Sequence, residues 1–142
     1  MLTLDAAIES IEDVLDSQFV QDWYEEGIPS FESLHFKNGN LVPYICVQYA
    51  DLVQGIDRAM AGTRGDAHDF PVRFIAVAGN AKDARKIRNK IIDKFTGFSP
   101  DYCGEMVKRG GGGAHTVVDN NGAVVAYIAP AMFRTSLTLF DV

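Results

Sequence analysis

Histidines, cysteines and closely spaced acids are the residues through which a short chain could do chemistry, and here they are scattered. His35, His68 and His115 form no HxH or HExxH pair of the kind that holds zinc. Asp66, His68 and Asp69 stand close enough for a weak cation site, but a solvated polar loop accounts for the same residues. Cys46 lies among strand formers and reads as a small buried hydrophobe, and no histidine is usefully spaced from Cys103. Two cysteines make no disulfide framework, so both are expected as free thiols in a reducing compartment. No GxSxG marks a serine nucleophile. The four glycines at 110–113 could cradle a phosphate only before a helix N-terminus and a Lys-Ser/Thr pair. Instead they run into Ala114 to Val118, which reads as strand.

A magnesium nuclease comes nearer. Pro100-Asp101, Glu105 and Lys108 are similar to a site in which two acids hold the metal and a lysine steadies the attacking water. Met106 and Val107 separate Glu105 from Lys108, however, and a strand's period of two then puts that pair on opposite faces. Arg64-Gly65-Asp66 is a three-residue match without any sign of secretion. The expectation is a chain with no catalytic, cofactor or metal site, and not an enzyme.

Charge is the stronger signal. The chain has 142 residues with 13 Lys+Arg against 19 Asp+Glu, a formal charge of −6. Before Lys37 there are nine acids and no Lys or Arg. Over 82–94, by contrast, Lys82, Arg85, Lys86, Arg88, Lys90 and Lys94 face only Asp83 and Asp93. Such a segment could touch nucleic-acid phosphates or dock on an acidic surface, and the chain carries an acidic surface of its own. Exposed ion pairs contribute only about 0.2–1 kcal/mol each, so charge would orient an interface that apolar anchors hold. Trp23, Tyr24, Phe31 and Tyr49 are the anchors available.

The elements that place these charges are set by periodicity. Leu4, Ala7, Ile8, Ile11, Val14 and Leu15 recur at helical spacing, with Asp5, Glu9, Glu12, Asp13 and Asp16 opposite and Thr3 as the N-cap. Leu34 and Phe36 begin a strand, Asn38-Gly39-Asn40 turns the chain, and 41–50 forms a second strand with Pro43 at its start or on an edge. A long polar loop spans 51–69. Phe70 to Ala78 reads as a strand leading to Asn80, the N-cap of a second helix through Phe95 that buries Ala84, Ile87, Ile91 and Phe95. Gly97 suits the position past its end. Weak strand signal over 102–107, a hairpin of 115–118 and 123–128 about Asp119-Asn120-Asn121-Gly122, and a last strand at 132–140 complete the chain.

This pattern predicts an α+β fold, order α-β-β-β-α-β-β(-β): a mostly antiparallel sheet of about five strands with two amphipathic helices on one face. One domain, 1–142, is expected, since a chain this long buries enough surface to stand without staples. The longest apolar run, 123–133, holds Pro130 and is far short of the roughly 20 residues that cross a bilayer. Asp5 and Glu9 interrupt what would be the apolar part of a signal peptide.

The run Phe74-Ile75-Ala76-Val77-Ala78-Gly79-Asn80, the helix after it, its close Phe95-Thr96-Gly97-Phe98 and the ending Ala129-Pro130-Ala131-Met132-Phe133-Arg134-Thr135-Ser136-Leu137-Thr138-Leu139 keep a familiar order of elements. In this the chain resembles the tail terminator (tail completion) proteins of phages with long non-contractile tails. The resemblance implies a virion protein, made in the host cytoplasm and resident at the head-proximal end of the tail, that forms a ring, in that family a hexamer. The ring would stop polymerisation of the major tail tube protein and receive the head–tail connector protein, with phage DNA near its lumen. A head-to-tail ring would set Asp5, Glu9, Glu12 and Asp16 of one copy against Lys82, Arg85, Lys86 and Lys90 of the next. Loops 51–69 and 109–114 would order on assembly, with Arg58, Arg64, Asp66 and Arg109 as tube contacts. Another head–tail joining protein, a stopper or head-completion protein, is the alternative, and the small magnesium nuclease is the rival from another class.

Overall fold

A computed structural model of the protein describes residues 2–50, 53–54, 67–110 and 113–138. The chain is α+β. Helix α1 (Leu2–Gln18) is followed by β1 (Asp22–Tyr24), a single 3-10 turn (Phe31–Ser33), β2 (Phe36–Lys37), β3 (Asn40–Leu41) and β4 (Tyr44–Tyr49). Then come β5 (Val53–Gln54), β6 (Ala67–Ala78), helix α2 (Ala81–Phe95), β7 (Val107–Arg109), β8 (His115–Val118) and β9 (Val124–Thr138). Seven of these strands form one mixed sheet in the order β1-β4-β6-β9-β7, with β5 beside β6 and β8 beside β9. Every pair in it is antiparallel except β1 with β4.

Both helices lie on one face. Ala7, Ile11 and Leu15 of α1 and Ala84, Ile87, Ile91 and Phe95 of α2 share a core with Phe74, Ala76, Ala129, Ala131 and Phe133. Phe95 stacks on Phe74 with ring centroids 4.4 Å apart, and Phe19 closes the layer against Phe95 at 6.2 Å. The other face is covered over one half only. There Leu34, Phe31, Leu41 and Tyr24 pack on Tyr44, Cys46, Ile75, Val77, Val117 and Ile128. Burial on both faces is why β6 reads as an unbroken apolar run and not as an alternation.

The helices keep closely to the expected bounds, while the strands depart from them in instructive ways. Thr3 is not an N-cap; it lies inside α1 and is buried. The expected pair of strands at 34–50 is split: β2 and β3 form a small hairpin apart from the main sheet, and Val42-Pro43 separates it from β4. Asn38 and Gly39 take φ of 55° and 80° in its turn, as the Asn-Gly pair allows. The expected loop 51–69 is strand at both ends of its described part, since Val53 and Gln54 pair with Asp69 and His68. Residues 102–106 form no strand but a looped segment pinned to β9: Gly104 N–H donates to Ser136 O (2.9 Å), and Thr135 Oγ1 donates to Gly104 O (2.6 Å).

The two strands expected at 123–128 and 132–140 are one, β9, running through Pro130. The register explains how a sheet tolerates this proline. Ala50 N–H donates to Pro71 O (3.2 Å), so odd-numbered residues of β6 turn their backbone groups toward β4. Pro130, opposite Ile75, therefore turns its own away from β6. On that side β8 ends at Ile128 and β7 begins at Met132, so no ladder asks for the missing N–H. Pro71 is tolerated differently: its carbonyl accepts from Ala50 N–H just past Tyr49, where the β4 ladder ends, and the N–H it lacks would have faced the exposed Ala50.

Candidate assembly surface

The helix layer carries two charged stripes. Asp5, Glu9, Asp13 and Asp16 are exposed on α1, and Lys82, Arg85 and Lys86 are exposed on α2. Asn80 caps α2 as the sequence predicts, accepting from Asp83 N–H at 2.9 Å from an extended backbone. Lys90, half-buried, lies 5.1 Å over the Phe19 ring on the flank of α2 nearest α1. On the opposite flank Arg88 Nε reaches Pro130 O at 2.7 Å, supplying a donor to the carbonyl that neither β7 nor β8 claims. Among the described residues no ion pair joins the acids of α1 to the bases of α2.

The expected residues are thus divided. Glu12 is half-buried and accepts from Tyr49 Oη at 3.1 Å; burial raises its pKa first of all, the Tyr49 hydrogen bond opposes this, and Glu25 adds to the rise. Asp16 accepts from Trp23 Nε1 at 2.7 Å. Both contacts tie α1 to the β1/β4 margin of the sheet, where Asp22 and Glu25 are also exposed. Arg109, expected in a loop, is on β7 opposite Met132 and lines a cleft with Asp69, Glu105 and Arg134. Arg58, Arg64 and Asp66 lie outside the described residues.

The four expected aromatic anchors are used within the chain. Trp23 and Tyr49 pack against the helix-side core, and Phe31 packs on the opposite cluster. Tyr24 stacks on His35 at 4.0 Å, and His35 Nε2 meets Glu26 Oε1, which fastens the 25–35 segment to the sheet beside Tyr44. The exposed large apolar residues are different ones, among them Val20 (88%), Ile28 (65%), Val107 (50%) and Val118 (46%). No periodicity marks them, because each lies in a strand or connection too short to have one.

The other chemical candidates separate in space. His68 and Asp69, adjacent on β6, point to opposite faces, and Asp69 is held by Arg134 at 2.6 Å. Lys108 lies opposite Phe133, on the helix-side face, while Glu105 lines the cleft with Arg134 on the other. Burial pushes the Cys46 thiol up to about 12, with the charge of Glu26 adding to it, and the Cys103 thiol up to about 11, with Asp101 adding. Neither thiol is poised as a nucleophile.

No family model matches this chain, and no curated protein matches it.

Proposed function

We propose that this protein is a tail terminator subunit of a long non-contractile phage tail, a structural component and not an enzyme. Copies close head to tail into a ring on the end of the tail tube. The ring stops addition of the major tail tube protein and presents the surface that receives the head–tail connector protein.

One observation carries this reading. The acidic stripe of α1 and the basic stripe of α2 share a layer, yet among the described residues no ion pair joins them within the chain. A closed ring of identical subunits needs two different, complementary patches on every copy, and these stripes supply a pair. The likeness of the segment from Phe74 to Phe98 to the terminator family supports the same reading, with the hexamer as the ring number that likeness implies.

Sedimentation velocity over a concentration series, together with negative-stain images of the protein alone and mixed with tail tubes, tests it. The expected result is a monomer–ring equilibrium and rings seated at tube ends. Arg85→Glu with Lys86→Glu should weaken assembly and its salt dependence while leaving the monomer folded. A chain that stays monomeric and neither caps tubes nor slows their growth overturns the reading. Rings that ignore tubes but bind heads would make the protein a stopper or head-completion subunit.

A further inference from the structure

The ladder puts two distant residues in one row. Asp22 is the register partner of Tyr44, Tyr44 of Val77, Val77 of Ile128 and Ile128 of His115. Asp22 on the β1 margin and His115 on the β8 margin therefore stand at one level on opposite sides of the sheet, and both are exposed. Among the described residues no strand flanks β1 or β8 on its outer side. β1 runs away from this end of the sheet and β8 runs toward it. Val20, two residues before Asp22, and Val118, three after His115, are therefore displaced toward the same end. Val20 is 88% exposed at the corner between α1 and β1. Val118 (46%) is the register partner of Val124 (48%), and the two form an apolar patch on the β8–β9 hairpin. The helix layer follows the same plan: α1 ends and α2 begins at this end, which places exposed Asp13 and Asp16 there on one side and exposed Lys82 and Arg85 on the other.

We propose that the α1–β1 corner of one copy packs on the β8–β9 hairpin of the next, the subunits standing side by side with their strands along the ring axis. The inference rests on the ring reading and adds to it the residues that meet. Three features favour a second copy. In that arrangement residues of one row keep one height, so the register itself brings Asp22 to His115 and Val20 to the Val118–Val124 pair. The three exposed valines supply the apolar anchor that charge alone cannot. Charge agrees on both levels, with Asp13 and Asp16 against Lys82 and Arg85 in the helix layer and Asp22 against His115 in the sheet. Asp119 follows Val118, but its carboxylate is engaged by the hairpin itself, accepting from Asn121 and Ala123 N–H at 2.9 and 3.0 Å. The corner and the hairpin are unlike surfaces on opposite margins, as closure head to tail requires.

Substitution at the two margins tests the contact. Val20→Glu and Val118→Glu, both at exposed positions that leave the monomer folded, should each weaken ring formation by about tenfold or more, since each sets a charge against an apolar contact. Asp22→Lys and His115→Asp should each weaken it less, and the two in one chain should restore it. Val20→Cys with Val118→Cys should yield, on mild oxidation of the assembled protein, a ladder of covalent oligomers that neither single variant gives. Rings that form undiminished in Val20→Glu and Val118→Glu, or cysteines that do not cross-link in rings seen by microscopy, overturn the corner contact and leave the ring reading standing. An unaltered chain that forms no rings, alone or on tubes, overturns both.

Discussion

The Tyr49 hydroxyl donates to Glu12 Oε2 at 3.1 Å, joining the exposed end of β4 to the middle of α1 across 37 residues of sequence. This bond holds the acidic helix over the acidic edge of the sheet, so the two concentrate negative charge on one side of the molecule. It also places Glu12 where its charge is costly.

Burial raises the Glu12 pKa above its ordinary value in the folded chain. A folded-state value above the unfolded one means that the folded chain binds the proton more tightly. Stability therefore falls as pH rises from the ordinary glutamate value through the raised one, and the loss is complete above it. Glu12→Gln removes this slope, so the stability of the variant relative to the parent should be higher at pH 7 than at pH 4. Glu12→Ala instead leaves the Tyr49 hydroxyl without its acceptor and should cost about 1 kcal/mol. Urea denaturation at the two pH values measures both effects.

Arg88 and Pro130 make a second cross-chain tie, between α2 and the gap in the sheet edge. Arg88→Met keeps much of the aliphatic stem but strands a carbonyl of a buried residue, at a cost of about 1–3 kcal/mol. Arg88→Lys, which keeps a donor on a similar stem, should lose less. A lowered denaturation midpoint at unchanged slope is the expected signature; equal stability of Arg88→Met and the parent would remove Arg88 from the account of how β9 passes through a proline.

Asn80 begins α2 through a reciprocal pair of bonds, accepting from Asp83 N–H and donating to Asp83 Oδ2, both at 2.9 Å. Asn80→Ala should destabilise the fold by about 1 kcal/mol, and Asn80→Asp or Asn80→Ser should recover most of it. Thermal unfolding followed at a helix-sensitive wavelength gives the ranking.

The thiols provide a check on burial. With Cys46 pushed up to about 12 and Cys103 up to about 11, almost no thiolate exists at pH 8 in the folded protein. Iodoacetamide should label Cys46 only on unfolding, and half-buried Cys103 slowly, whereas denatured protein should take two labels at once. Rapid labelling of Cys46 in the native protein would contradict its place in the second core.

Both helices were readable from local residues. The Ala84, Ile87, Ile91, Phe95 stripe, the Asn80 cap and Gly97 at φ 83° all lie within one short segment, and each acts over a few residues. The Asp119-Asn120-Asn121-Gly122 turn was legible for the same reason: Asp119 Oδ1 accepts from the N–H groups of Asn121 and Ala123, and Gly122 takes φ 81°. The segregation of acids before Lys37 and bases over 82–94 was equally plain. Nothing local announces β1, because three residues have no period, and Asp22-Trp23-Tyr24 becomes a strand only when Tyr44 to Cys46 lies beside it. Nor could Pro130 be recognised as a strand residue without knowing that β7 and β8 leave a gap opposite it. Composition and periodicity thus established two amphipathic helices, a β-rich remainder and a divided charge. Which strands became edges, and which charges and valines stand along them, was settled by pairing between residues far apart in the chain, since the ladder and not the strand determines which backbone groups remain open.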